Sequence, residues 1–217
     1  MSEFAIIVAG GVGTRMKSNI PKQFMLLKGK PILMHTIEAF NKYPITLVLP
    51  ENQHDSWREL CLQYSFNIKH DIVSGGATRF QSVSNGLDNI PDQGTVAIHD
   101  GVRPLISKSI ISESYKLAST HGNAIATVPL KDSIREISIH SNQAVDRSKY
   151  RLIQTPQTFD ISLIKKAYQT EESPLFTDDA SVLESDGHAI HLFEGSVSNI
   201  KITTPEDLRI AEAFIDS

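Results

Sequence analysis

The sequence predicts an α/β fold: a mostly parallel sheet covered by helices in three layers, with a β-hairpin arm protruding from it. Three observations carry this expectation. Strand-like and helix-like segments alternate from one end of the chain to the other, as in sheets built from helical crossovers. The first strand runs directly into the glycine-rich turn Ala9-Gly10-Gly11-Val12-Gly13-Thr14-Arg15-Met16. One stretch, residues 131–154, breaks the alternation with the patterning of an exposed strand pair.

Taken in order, Phe4-Ala5-Ile6-Ile7-Val8 is apolar and β-branched, the composition of a strand buried on both faces. Gly29-Lys30-Pro31 reads as a turn that opens a helix over residues 32–40, with Pro31 at its first position. Residues 46–49, 68–73, 96–98 and 124–128 read as further short strands. Between them lie a helical stretch around residues 57–64, the helical spacing of Val83, Leu87 and Ile90, and a helix over residues 110–117. Trp57 and Cys61 are read as packing residues of the first of these. In the arm, residues 133–139 alternate, residues 140–144 supply a polar turn and residues 145–153 return. A hairpin of this kind is a candidate dimerisation arm, or an edge hairpin with no partner. A helix over residues 161–168 follows behind Asp160 as its cap, then a helix over 180–184 and a strand over 190–193. The last helix opens at Thr204-Pro205-Glu206-Asp207, which offers a capping hydroxyl, a first-turn proline and two acids.

The chain of 217 residues is long enough for one large domain with a substantial core, taken here as residues 1–217 with 131–154 as the arm. A net charge of −4 argues against a general nucleic-acid binder, because a phosphate backbone demands a basic surface. With a single cysteine, Cys61, no internal disulfide and no two-cysteine metal site can form. No apolar run approaches the roughly 20 residues that span a bilayer, and no signal-peptide pattern precedes the first strand. The expectation is a cytoplasmic protein without membrane association.

A glycine turn at the carboxyl end of a parallel strand lets backbone N–H groups approach phosphates closely. Arg15 in that turn and Lys22 in the following Pro21-Lys22-Gln23-Phe24 add fixed positive charge, which suits a nucleoside triphosphate. The glycines alone fit a tight turn with solvated charges equally well. Met16 stands where a dinucleotide fingerprint needs its third glycine, and Gly29-Lys30-Pro31 lacks both the upstream glycine and the hydroxyl of a P-loop. Gly75-Gly76 offers a second close backbone approach, with Ser82 on the helix that follows. Asp100 is a candidate for orienting phosphates, ribose or a metal, with Arg103 bracing it, or else half of a purely structural pair. His99 is read as a supporting residue rather than a ligand. Taken alone, Arg147 reads as an arm ion pair and Lys201 as a solvated lysine.

Together these segments resemble one family along essentially the whole chain. They are the glycine turn, Pro21-Lys22-Gln23-Phe24, Gly75-Gly76-Ala77-Thr78-Arg79-Phe80-Gln81-Ser82-Val83 and His99-Asp100-Gly101-Val102-Arg103-Pro104. Val145-Asp146-Arg147, Gln154-Thr155-Pro156-Gln157, Thr177-Asp178-Asp179-Ala180 and Asn199-Ile200-Lys201-Ile202-Thr203 complete the set. The chain resembles the 2-C-methyl-D-erythritol 4-phosphate cytidylyltransferases of non-mevalonate isoprenoid synthesis. The resemblance implies a three-layer, Rossmann-like nucleotidyltransferase fold and transfer of CMP from CTP to methylerythritol phosphate. It further implies direct in-line attack of the substrate phosphate on the α-phosphorus, with pyrophosphate leaving and Mg²⁺ or another divalent cation assisting.

By that resemblance Arg15, Lys22, Arg147 and Lys201 are the catalytic cations, the last two also holding the methylerythritol phosphate. Ala9, Gly10, Gly11, Gly13, Thr14, Gly75, Gly76, Arg79, Ser82 and Asp100 would bind CTP, Asp100 also serving as the candidate metal carboxylate. Arg103, Ser133 and Thr177 would complete the substrate side. The resemblance also implies a homodimer in which the arm delivers Arg147 to the neighbouring site. Four positions depart from the family pattern. Gly10 and Gly101 stand where many members carry alanine, Ala77 replaces an acidic residue, and Ser133 replaces threonine. The nearest rival is ribitol-5-phosphate cytidylyltransferase, which shares the glycine turn and Pro-Lys-Gln-Phe; Val145-Asp146-Arg147 leans away from it. A non-catalytic nucleotide-binding regulator would be expected to lack Arg15, Lys22 or Lys201.

Overall fold

A computed structural model of the chain describes residues 2–11 and 20–215. In chain order the elements are β1 (Glu3–Val8), β2 (Leu26–Leu27), β3 (Lys30–Pro31), α1 (Ile32–Ala39), β4 (Ile45–Leu49), α2 (His54–Gln63), β5 (Asp71–Ser74) and α3 (Arg79–Asp88). They continue with β6 (Thr95–Asp100), α4 (Lys108–His121), β7 (Asn123–Pro129), β8 (Arg135–Ile137), β9 (Asn142–Ala144), β10 (Arg151–Asp160), α5 (Ile161–Ala167), α6 (Asp179–Ser185), β11 (Leu192–Glu194) and α7 (Pro205–Ile215). Seven strands form the central sheet in the order β11-β7-β10-β6-β1-β4-β5. β1 pairs parallel with β4 and β6, β4 with β5, and β11 with β7; only β10 runs antiparallel to its neighbours β6 and β7.

The continuous apolar run of β1 has the physical reason expected of a strand covered on both sides. Ile6 and Val8 pack with Val83, Leu87, Ile164 and Leu183 in the layer of α3, α5 and α6. Ala5, Ile7 and Ala9 pack with Leu33, Ile37, Trp57 and Tyr115 in the layer of α1, α2 and α4. A third cluster around Leu27, Ile32, Ile202 and Ala211 seats α7 against β2 and the start of α1. The chain adds β4 and β5 on one side of β1 and then returns to add β6 on the other. The strand order therefore reverses beside β1, and such a reversal opens a crevice at the carboxyl ends of the strands.

Several boundaries differ from the sequence reading. Pro31 precedes α1 as its cap, with extended ψ, because Lys28 and Gly29 take positive φ in the turn before it and Lys30–Pro31 still pair with β2. The edge strand β5 starts at Asp71 and not at residue 68; the ring Nδ1 of His70 engages the carbonyl of Ile68 at 2.7 Å, outside the ladder. β11 likewise starts at Leu192. The largest correction concerns the arm. Its hairpin is β8 with β9, turning at residues 138–141, so the return begins at Asn142. Residues 151–160 then enter the main sheet as β10. Pro156 marks this segment poorly as a central strand, since proline donates no ladder hydrogen bond. It sits within the register shift between Ile153 and Gln157, where the ladder is interrupted. The arm leaves from the carboxyl end of β7 and returns at the start of β10, so it projects from the same edge as the crevice. Among the described residues no helix is long and apolar enough to cross a membrane.

Candidate active site

At the end of β1, Val8 lies in register between Val48 and Asp100. The chain then continues as Ala9-Gly10-Gly11 along the floor of a cleft of about 650 Å³. Lys22 opens a short 3₁₀ turn over residues 22–24 and lays its side chain across Gly11; a Cβ there would stand 3.1 Å from Lys22 Cε. That turn is anchored from below. Phe24 stacks on Trp57 at 5.9 Å, and the Gln23 amide donates to Gln53 Oε1 at 2.5 Å.

The opposite wall is the loop between β5 and α3. Gly75 N–H donates to the carbonyl of Leu49 at 2.8 Å, continuing the sheet ladder. Gly76 N–H donates to Ser82 Oγ at 3.1 Å, while that hydroxyl donates to the carbonyl of Thr78 at 2.8 Å. Thr78 caps α3 by accepting from Gln81 N–H. Side chains are excluded here by geometry, since a Cβ on Gly76 would fall 2.3 Å from Gln81 Cβ. Ser82 is thus already committed to shaping the loop that faces the cleft.

Asp100, at the end of β6, is the electrostatic centre. Its Oδ2 accepts from Lys201 Nζ at 3.1 Å and Arg103 Nε at 3.2 Å, and Arg79 Nε stands 3.9 Å from Oδ1. Burial opposes the charge on Asp100, but Lys201, Arg79 and Arg103 override it and hold the carboxyl far below the usual carboxylate range. Lys201 also borders a second cleft, at the base of the arm, with Arg103, Lys131, Asp132, Gln154 and Asn199. Its loop is fixed by β10. Gln154 Nε2 donates to the carbonyl of Ser196 at 2.8 Å, Asn199 Nδ2 to that of Thr155 at 2.7 Å, and Arg103 Nη1 to that of Asn199 at 2.8 Å. One ammonium therefore stands between two openings, held by a buried anion.

The amino-acid sequence matches the family described as "IspD: 2-C-methyl-D-erythritol 4-phosphate cytidylyltransferase" over residues 4–217. The chain belongs to this family. A relative of that name from Bacteroides thetaiotaomicron is 48% identical over 219 residues, covering 99% of this chain and 100% of the relative. Another from Azobacteroides pseudotrichonymphae is 51% identical over 219 residues, covering 99% of each. Among solved structures, the 4-diphosphocytidyl-2C-methyl-D-erythritol synthase of Anaerococcus prevotii superposes with a TM-score of 0.85 at 27% identity, covering 100% of this chain and 99% of the other. The 2-C-methyl-D-erythritol 4-phosphate cytidylyltransferase of Thermus thermophilus gives 0.83 at 27% identity, with 100% of both covered. The ribitol phosphate alternative gains nothing from these likenesses.

Within this cytidylyltransferase framework, the residues singled out from sequence fall into three groups. Ala9, Gly10, Gly11, Lys22, Gly76, Arg79, Ser82, Asp100 and Lys201 line one cleft, with Gly75 directly behind it and Arg103 beside it in the second. Ser133 and Thr177 are exposed and line neither cleft, and Arg147 donates to the carbonyl of Lys131 at the base of its own arm. Gly13, Thr14 and Arg15 lie outside the described residues. Two of these residues carry further contacts. Arg79 lines the cleft with its fork paired to Asp179, Nη1 to Oδ1 and Nη2 to Oδ2, both at 2.7 Å. His99 supports the site with one nitrogen only; Nε2 meets the carbonyl of Arg103 at 3.2 Å, while buried Nδ1 has no hydrogen-bond partner. Burial pushes its pKa down to about 4, so the ring is neutral near pH 7. The departure at Gly101 now has a cause in packing: a Cβ there would lie 2.8 Å from that of Ala9. Gln154, Gln157 and Asn199 belong to the family-like motifs but have no role there that local pattern discloses. The structure makes them the braces of the Lys201 loop and of α6, where Gln157 Nε2 donates to Asp178 and its Oε1 accepts from Ala180 N–H.

Proposed function

We propose that this chain transfers CMP from CTP to 2-C-methyl-D-erythritol 4-phosphate, releasing pyrophosphate, by direct attack of the substrate phosphate on the CTP α-phosphorus. The observation that carries this reading is Lys201, which borders both clefts while bound 3.1 Å from Asp100. One cleft suits the nucleotide, because Gly10, Gly11 and Gly76 present backbone where a triphosphate and a flat base need close approach. The other, with Arg103, Lys131 and Lys201, suits the phosphate of the acceptor. A phosphate monoester is largely dianionic near neutral pH, so it needs little help from a general base. The barrier lies in bringing two polyanions together and stabilising the charge of five-coordinate phosphorus, for which fixed cations are the remedy.

In this reading Lys22 and Arg15 bear on the triphosphate, Lys201 serves both anions, and Arg147 arrives on the arm of a second copy to hold the acceptor phosphate. The exposed Ile137 and Ile139 on that arm favour a homodimer, since an isolated hairpin has little reason to display them. Among the described residues no group of three or more His, Cys, Asp or Glu could hold a metal. Asp100 is already encircled by three cations, which compete with any metal for its oxygens. A divalent cation, Mg²⁺ or another, would therefore enter as part of the CTP substrate complex, with Asp100 as at most one protein ligand. Such an enzyme would work in the cytoplasm.

The test is pyrophosphate release with CTP and Mg²⁺ against methylerythritol phosphate and ribitol 5-phosphate separately. Turnover with the first and little with the second is expected. A strong preference for ribitol 5-phosphate overturns the acceptor assignment, and silence with both overturns the catalytic reading.

A further inference from the structure

Arg79 is the first residue of α3, directly after the loop whose Gly76 faces the nucleotide cleft. Its guanidinium has two N–H groups fully engaged by Asp179, which is wholly buried and also accepts from Tyr168 Oη at 2.6 Å. Its Nε stands 3.9 Å from Asp100, across the sheet end from α6. The next residue, Phe80, stacks on Tyr168 at 4.6 Å and on Phe176 at 5.9 Å. One turn of helix is therefore locked by charge and by ring stacking to the segment that contains Thr177 and leads into α6. Burial works against the charge on Arg79, but Asp179 and then Asp100 outweigh it and keep the guanidinium firmly protonated.

We infer that Arg79 is a positioning residue: from its closed pair with Asp179 it fixes the Gly75–Thr78 loop and the carboxylate of Asp100 relative to one another, and does not itself bind phosphate. The inference rests on the cytidylyltransferase reading and deepens it. A planar fork with parallel hydrogen bonds to one carboxylate fixes the plane of the guanidinium on Asp179, so its remaining N–H groups are not free to turn toward a second anion. Bidentate pairing also sets orientation, which a lysine's point charge cannot reproduce. The consequence is a loop and a carboxylate placed on a common rigid anchor. Displacement of reacting groups by about 1 Å can cost as much as about 10²-fold in rate.

The two possible roles of Arg79 predict opposite responses to Asp179→Asn. If Arg79 positions the site, loosening its partner weakens CTP binding although the cation remains. If Arg79 is a phosphate ligand restrained by Asp179, releasing it leaves CTP binding unchanged or tightens it. The measurements are CTP affinity by calorimetry without acceptor, then kcat and KM for CTP and acceptor, with melting temperature alongside. We expect D179N to bind CTP about tenfold more weakly, and R79K to lose at least as much despite keeping its charge. As a check on folding, the apolar pair Arg79→Met with Asp179→Leu replaces a buried ion pair by matching hydrophobic volume, which usually preserves stability. A double variant that melts like the parent, together with weaker CTP binding in D179N, supports positioning. Its acid limb of kcat/KM should also move to higher pH, because Asp100 has lost one of its three cations. Unchanged or tighter CTP binding in D179N, or full activity in the double variant, overturns the inference. A parent protein that binds CTP but transfers nothing to methylerythritol phosphate instead refutes the cytidylyltransferase reading, and the calorimetric comparison still decides the role of Arg79.

Discussion

Replacing Gly76 by alanine isolates what backbone exposure contributes to the nucleotide cleft. The added Cβ would lie 2.3 Å from Gln81 Cβ and 3.2 Å from the Gln81 carbonyl carbon. Real Cβ contacts require more than 3 Å, so the loop must move by roughly 1 Å, because the first turn of α3 is held by its Thr78 cap. That movement strains two bonds that shape the wall, Gly76 N–H to Ser82 Oγ at 3.1 Å and Ala77 N–H to Gln81 Oε1 at 3.0 Å. Overpacking of this kind costs about 1–3 kcal/mol of stability. For catalysis the same displacement predicts a fall in kcat/KM for CTP of up to about 10²-fold. Gly10→Ala gives a comparison without that overpacking: among the described residues its Cβ would meet Ser82 Oγ, at an ordinary 3.7 Å. Steady-state pyrophosphate release at varied CTP, with thermal melts of both variants, gives the comparison. If G76A keeps the parental kcat/KM for CTP, the loop is not read by its backbone and the reasoning fails.

Other outcomes follow from packing and charge. Gly101→Ala should lose about 1–3 kcal/mol through its contact with Ala9, and Ala9→Gly in the same chain should restore most of it in denaturant melts. Lys201→Ala should lower kcat on the order of 10²–10³-fold and raise KM for both substrates, since it removes a cation shared by two clefts; an effect on CTP alone would contradict that placement. His99 falls from 6.5 to about 4 through burial, so its unfolded form takes up a proton first as pH drops. Stability is then complete above about pH 6.5 and declines down to about pH 4, by about 3 kcal/mol, with His35 contributing in the same direction. Asp100, shifted downward, adds nothing in that window, because its contribution is lost only below the usual carboxylate range. Urea titrations from about pH 7.5 to about pH 4.5 should show this slope, reduced in His99→Gln. Finally, mixing Arg147→Ala chains with Lys22→Ala chains should recover about a quarter of parental activity, the statistical share of intact sites if Arg147 crosses between subunits; no recovery despite verified mixing would count against the shared site.

The layers of the fold were legible because its parallel strands announce themselves. A strand covered on both faces, such as residues 4–8, must be apolar throughout, and helices between such strands leave no other sheet topology in reach. The misread segment was β10. Its Gln154-Thr155-Pro156-Gln157 run is polar and contains proline, so local pattern disfavours a central strand. Yet Gln154, Thr155, Gln157 and Thr158 are all buried, because they brace α6, the Lys201 loop, β6 and α4 through side-chain hydrogen bonds. Periodicity records hydrophobic burial and is blind to buried polar bracing. The glycines and Lys22 of the site were legible for the opposite reason: their chemistry is local, one turn after one strand. The pairing of Arg79 was not legible, since its partner lies 100 residues further along the chain and nothing near position 79 tells an occupied fork from an open one.

A buried carboxylate at the centre of a site meant for two polyanions needs its own explanation. Taken by itself, the charge on Asp100 repels phosphate and opposes ground-state binding of CTP. Its value lies in what it holds. Lys201 and Arg103 approach the same oxygen at 3.1 and 3.2 Å, a spacing at which the two cations would repel each other without an anion between them. With Asp100 charged, both are held in place before substrate arrives, and the Arg103 fork reaches on to the carbonyl of Asn199, two residues before Lys201. Binding that is equal for substrate and transition state raises affinity without accelerating the chemical step. A lysine balanced by Asp100 attracts the resting phosphates less, and its position favours the extra negative charge that develops between the two clefts during transfer. Asp100→Asn should therefore bind CTP as well as the parent or better, while kcat falls and the melting temperature drops because Arg103, only 11% exposed in its side chain, loses its counter-charge. A parallel loss of CTP affinity and kcat would instead make Asp100 a direct contact to the nucleotide or its metal.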